Sequence, residues 1–302
     1  ASAVIRGKGI SFSAAAIRPA YLSKGARLEG FTLSGGFTRE YTSTNLYYEK
    51  AGGGVFIDCD GLLTNCVVAG NTAMQDGGGV FCFHGGSIHN CIVISNQAYW
   101  GGGGGVCLFA ENKEAPQAAQ CEIIRNDAPD TGGGILVRGC GAVRHSLIAE
   151  NRSDTYGGGV TLDTHFYGGV QTAENCRIVG NFMTSAGVAG AGLYLRYGGV
   201  ANNCLVASNS CARGAGVFCL MGGAVNNCTI AYNSADTNYY SGGGILCQDG
   251  GQIRNSIIFF NKGAPNANWT NIGSGMSYRH CCITPTNGLP SNEGCIEADP
   301  GF

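Results

Sequence analysis

The chain has 302 residues, a formal net charge of −2 from 18 basic and 20 acidic side chains, and charged residues at only 13%. That balance excludes a basic footprint for nucleic acid or an anionic membrane, and no run approaches the roughly 20 apolar residues of a membrane span. With 52 glycines, 7 prolines and 44% hydrophobic residues, the chain is neither a proline-rich disordered tract nor short of core material.

Residues 1–50 open on ASAVIRGKGISF, which lacks the layout of a signal peptide. They carry one diverged copy of the unit that follows, at residues 28–36. From 51 to 261 two markers recur together. The first is a Gly-rich turn running into an aliphatic residue: Gly54-Val55, Gly79-Val80, Gly105-Val106, Gly134-Ile135, Gly159-Val160, Gly192-Leu193, Gly216-Val217 and Gly244-Ile245. The second is Cys or Ser followed five residues later by Asn, from Cys66/Asn71 and Cys91/Asn96 through to Ser256/Asn261. That offset never varies, whereas successive repeats are 24 to 33 residues apart. Constant strands joined by elastic loops produce this pattern. Residues 262–302 form a closing coil.

Each repeat has the period of two of a strand. Two residues after the Cys or Ser stand Val68, Val93, Ile123, Ile148, Ile178, Val206, Ile230 and Ile258, all β-branched, while the residue between is mixed. The uniform row faces inward and the mixed row outward. A coil of this kind cannot bury its apolar face alone, so coils stack about 4.8 Å apart and like residues form columns. The expected fold is an all-β, right-handed parallel β-helix of about nine to ten coils, one domain over 1–302. Asn columns are expected to bond amide to amide along the axis. The Cys row (Cys66, Cys91, Cys121, Cys176, Cys204 and Cys228, with Ser146 and Ser256) reads as small inward packing residues. A disulfide stays open near the end, for example Cys282 with Cys295. No C-x-x-C or His pairing accompanies the Cys row, so neither a metal site nor a cofactor is expected.

The GGGV and IxxxN repeats resemble the pectin-lyase-like right-handed β-helix superfamily. They look most like bacterial surface proteins, including polymorphic outer-membrane adhesins built from GG-aliphatic and FxxN units. Residues 253–302 (IRNSIIFFN through CIEADPGF) are similar to the closing coils of β-helix proteins with a "choice-of-anchor" C-terminal region. The resemblance covers nearly the whole chain and implies a bacterial extracellular or cell-surface location. The family's polar leader and helical cap are missing here, and the chain stops where family members continue toward an anchor. Exposed sheet edges invite pairing, so trimming or partners over the ends are expected.

The candidate sites lie on the Gly strand. Directly after its first inward residue runs an outward row that is nevertheless apolar: Phe56, Phe81, Cys107, Leu136, Thr161, Tyr194, Phe218 and Leu246. Over seven coil steps this makes a stripe about 34 Å long, and an exposed stripe of that length marks an interaction surface. Three readings stay open: self-association or cover by another domain, glycan or host-surface binding on the rings, and plain β-propensity.

Two residues further on, Arg138, Asp163 and Arg196 fall on consecutive coils, with His84 and His165 beside the same face. They read either as a surface ion-pair ladder worth about 1 kcal/mol or less, or as an anion site for uronates with lyase chemistry. Asp58 and Asp163 stand four coils, about 19 Å, apart, too far for the paired carboxylates of a glycoside hydrolase. Asp58 and Asp60 have no third acid near them in the sequence. Aromatics just before the Gly turn (Tyr99, Trp100, Tyr156, Tyr239, Tyr240) line one edge. The leading expectation is a non-enzymatic adhesive or glycan-contacting module. A polysaccharide lyase or hydrolase comes second, and a subunit of filaments or layers third.

Overall fold

A computed structural model describes residues 3–301 apart from 10, 11, 41–45, 112, 113, 166, 167, 186–188, 237–241 and 265. The chain winds as a parallel β-solenoid of about nine turns with almost no helix. Among the described residues the strands fall into four sheets. The Gly sheet has ten strands, running from Ala20–Leu22 and Val55–Asp58 to Trp269–Ile272. A second ten-stranded sheet runs from Arg27–Glu29 to Met276–Arg279, and an eleven-stranded Asn sheet from Ala3–Arg6 to Cys282–Ile283. A narrow seven-stranded sheet of dipeptide strands, from Thr72–Ala73 to Ser234–Ala235, completes the coil. Among the described residues no helix is long and apolar enough to cross a membrane.

The repeat alignment gives the strand register. Val55, Val80, Val106 and Ile135 are paired in turn, as are Val68, Val93, Ile123 and Ile148. These columns, together with Ile57, Leu108 and Val137, sit in one continuous buried core. Many of the corners between sheets carry a residue with left-handed backbone. After the Gly sheet this residue is Cys59, His84, Tyr197, Met221 or Asp249; before the Asn sheet it is Asn65, Asn90, Gln120, His145, Asn175, Asn203, Asn227, Asn255 or His280. Asparagine tolerates that conformation better than most side chains.

Inside the coil, Asn71, Asn96, Asn126, Asn151, Asn181, Asn209, Asn233 and Asn261 form the expected ladder. Each Nδ2 donates to the next Oδ1 at 2.9 or 3.0 Å. Each Oδ1 also accepts a backbone N–H, as Asn151 Oδ1 does from Asn126 N at 2.9 Å. The last rung, Asn268, lies outside the regular spacing and comes from a short loop after Asn261. The Cys row proves to be more than packing. Cys66 Sγ donates to Thr64 O at 3.2 Å, Cys91 to His89 O at 3.3 Å, and Ser146 Oγ to Arg144 O at 2.7 Å. Each therefore satisfies the carbonyl two residues back, across the left-handed corner, which is why Ser substitutes for Cys there. Cys281 adds a further rung by donating to Arg279 O. Thr286 stands where its Asn partner would be, which hides that coil from the repeat pattern.

All sixteen cysteines are free. The Cys282–Cys295 pairing left open by the sequence is corrected: Cys295 Sγ accepts from Cys281 N at 3.5 Å, and Cys282 Sγ donates to Ala298 O at 3.0 Å. Twelve thiols are buried, while Cys59, Cys140, Cys282 and Cys295 are half-buried. Burial pushes the Cys82 and Cys107 thiols well above their ordinary pKa. We expect no more than four of the sixteen thiols to react with an aromatic disulfide reagent in the native protein, and all of them after denaturation. Fewer than sixteen in the unfolded, unreduced chain would mean that disulfides form.

Candidate functional site

The outward apolar row of the Gly sheet faces away from the main core, as its alternation requires, but it is not a surface. Phe56, Phe81, Cys107 and Leu136 are 0% exposed, and Phe218 only 5%. Segments that precede some of the Gly turns run back over this face and build a second apolar layer. At one end the helix Leu46–Lys50 lays Tyr47 over Phe81 and Phe109, with centroids 5.7 and 5.0 Å apart, and Tyr48 over Phe56 at 5.0 Å. Phe83 and Phe109 join that cluster. Further along, Tyr156 stacks on Tyr194 at 4.8 Å, and Tyr194 on Phe218 at 5.2 Å. The expected exposed stripe is thereby corrected: Phe56, Phe81, Leu136, Tyr194 and Phe218 have no face open to a glycan or a second copy. Tyr239 and Tyr240 lie outside the described residues, whereas Tyr99 and Trp100 remain exposed.

The charged ladder keeps its register, with Arg138, Asp163 and Arg196 paired in turn, but only half of its pairing. Arg196 Nη1 meets Asp163 Oδ2 at 3.3 Å. Arg138 Nη1 instead meets Asp76 Oδ2 at 3.6 Å, an acid delivered by the covering segment of an earlier coil. Both carboxylates have their other oxygen on backbone. Asp76 Oδ1 accepts from Gly102 N at 2.8 Å, and Asp163 Oδ1 from His165 N at 3.0 Å. They are buried and committed to holding the outer layer in place. Asp130 stands on the rim of the same cluster. Desolvation raises its pKa while the Arg138 charge works against the rise. The His165 ring stacks on Tyr197 at 4.3 Å, with the Arg196 guanidinium 5.2 Å from the same Tyr197 ring.

His84 does not join that ladder. It lies at the corner after the Gly sheet, among residues the sequence reading kept apart. Its Nδ1 is 3.8 Å from Asp58 Oδ1, and its Nε2 is 3.8 Å from Glu111 Oε2. Cys59 Sγ is 3.5 Å from Asp58 Oδ1. The acid missing near Asp58 is thus supplied by the loop two coils on. Tyr21 and Tyr48 donate to Asp58 Oδ2 at 3.1 and 3.5 Å. Tyr21 is held up to about 12 by burial and by Asp58, and so stays a donor at neutral pH.

An open concavity lies elsewhere, at the corner before the Asn sheet. Two adjoining hollows, of about 480 and 280 Å³, share Asn90, Gln120 and Glu122. Their walls carry Asn65, Asn90, Gln120, His145 and Asn175, the left-handed corner residues of successive coils, all exposed. Asn90 Nδ2 donates to Asn65 Oδ1 at 2.6 Å, and Asn65 Nδ2 to Glu29 Oε1 at 2.7 Å. Glu122 and Arg177 flank the groove with opposite charges. The signal for this row was present in the sequence, as the amide or imidazole residue directly before each Cys or Ser. No family model matches the chain, and no curated protein matches it.

Proposed function

We propose that the protein is a non-enzymatic, glycan-contacting module of a secreted or bacterial cell-surface assembly, and that it binds through the corner groove. The observation that carries this reading is the column Asn65, Asn90, Gln120, His145, Asn175, exposed on a rigid backbone and repeating once per coil. Each amide offers donors and an acceptor together. A column of them about 4.8 Å apart suits the regularly spaced hydroxyls of an extended sugar chain. The balance of Glu122 against Arg177 favours a neutral glycan over a polyanion. The pectin-lyase-like and adhesin resemblance agrees with an extracellular role.

Two observations weigh against the other readings. In the candidate centre Arg138, Asp163 and Arg196, Asp163 is already bonded to Arg196 and to His165 N–H and Arg138 to Asp76, which speaks against a lyase or hydrolase there. The buried apolar row leaves stripe-driven filaments without their contact surface.

The test is affinity electrophoresis and calorimetry against a panel of soluble neutral and acidic polysaccharides. A neutral glycan is expected to bind, and the double variant Asn90→Ala/His145→Ala to bind about tenfold more weakly, at ~1 kcal/mol or less per lost hydrogen bond. Retained affinity in that variant, or no binding across the panel, overturns the proposal. Release of shortened chains would restore the enzymatic reading.

A further inference from the structure

We propose that Asp58, Cys59 and His84 form a binding site for one zinc ion at the corner after the Gly sheet. One oxygen, one sulfur and one imidazole nitrogen from these side chains lie within 4.8 Å of one another. Two of the separations are tighter, 3.5 Å from Cys59 Sγ to Asp58 Oδ1 and 3.8 Å from His84 Nδ1 to the same oxygen. Tetrahedral zinc with metal–ligand bonds of about 2.0–2.3 Å sets its ligands about 3.3–3.7 Å apart, so small side-chain adjustments bring the three onto one ion. All three are half-buried, open enough for entry and dry enough for tight coordination.

The donor set selects the metal. A thiolate and an imidazole suit zinc and its neighbours, whereas calcium and magnesium take oxygen alone. With three protein ligands the fourth position is left to water or a further ligand. The surroundings match what metal-bound side chains require. If Nδ1 takes the metal, Nε2–H faces Glu111, the carboxylate–imidazole arrangement that sets the tautomer and orients the ring. The Asp58 oxygen turned away from the ion receives the Tyr21 and Tyr48 hydroxyls. On binding, the Cys59 proton passes to solvent and the thiolate bonds to the metal; nothing is oxidised or reduced. Of the half-buried cysteines, Cys59 is the one grouped with both a histidine and a carboxylate among the described residues.

The experiment uses the full chain stripped with chelator and reloaded with Zn²⁺ or Co²⁺. We expect one zinc per chain by elemental analysis after desalting, and a thiolate-to-cobalt charge-transfer absorption. Cys59→Ser, close to isosteric, should abolish that absorption, and Asp58→Asn and His84→Ala should each weaken zinc binding at least tenfold. Tyr21→Phe, which touches the carboxylate and not the ion, should weaken it by about tenfold. The proposal is overturned if the wild-type chain retains no stoichiometric metal, or if the Cys59→Ser chain keeps the cobalt absorption, which would place the metal on another thiol. Circular dichroism confirms that each variant keeps the solenoid. The wild-type cobalt spectrum and the Cys59→Ser chain decide the matter even if His84→Ala does not fold.

Discussion

Replacing Asn151 by alanine is expected to cost about 3–5 kcal/mol of stability, close to the margin by which a domain is folded. Asn151 is fully buried at the middle of the ladder. Its Oδ1 accepts from both Asn126 N and Asn126 Nδ2, and its Nδ2 donates to Ile123 O and Asn181 Oδ1. Alanine withdraws the partner from four buried polar groups at once. Leaving buried groups unpaired costs about 1–3 kcal/mol each, reduced because some keep a second bond: Asn126 Nδ2 still donates to Val93 O at 2.9 Å. Urea denaturation followed by far-ultraviolet circular dichroism measures the loss. Asn203→Ala, at an exposed corner with left-handed backbone, is the control and should cost no more than about 1 kcal/mol. If the two variants unfold together, the ladder does not hold the solenoid.

Gly134→Ala should be nearly as damaging, at about 3 kcal/mol, for a different reason. Gly134 does not need left-handed backbone. A Cβ there would lie 2.7 Å from Gly159 O and 2.8 Å from Asn151 Nδ2, neither of which can retreat. Overpacking a close-packed interior costs about 1–3 kcal/mol and sometimes more. Its neighbour Gly132 is glycine on separate grounds, a φ of +63°. The Gly-rich turn therefore joins two requirements, a left-handed bend and a backbone pressed against the Asn ladder. Gly70→Ala separates them: its φ is +62°, with nothing within 4 Å of the added Cβ. It should cost only about 1 kcal/mol, since Ser95, Arg125 and Glu150 already occupy the same corner with φ near +55°. Equal losses for Gly134→Ala and Gly70→Ala would mean that backbone conformation, not contact with the amides, is what the glycines serve.

Covering the Gly sheet changes how the molecule meets its surroundings. A bare apolar stripe would have made the sheet face sticky and left the corners as scaffold. With Tyr47, Tyr48 and Tyr156 over that face, the regular open features are the corners, where one side chain per coil is turned outward by left-handed backbone. Both proposed sites lie there, the amide groove before the Asn sheet and the Asp58–Cys59–His84 cluster after the Gly sheet.

What could be read from residues alone was periodic. The constant five-residue offset gave the coil stacking, the uniform aliphatic rows gave the inward faces, and the recurring Asn gave the buried ladder, because stacked coils turn repetition in sequence into adjacency in space. The consecutive placement of Arg138, Asp163 and Arg196 followed from the same arithmetic. Alternation, however, reports only which side of a strand a residue faces. Whether that side is covered depends on loops of unequal length, which carry no period. The segments bearing Tyr47, Tyr156 and Asp76 fold back over the Gly sheet, burying Phe81 and Tyr194 and drawing Arg138 out of its ladder. Glu111 reaches His84 in the same way, across coils and outside any repeat. The solenoid was therefore legible in the repeat, while its surface was decided by the parts of the chain that do not repeat.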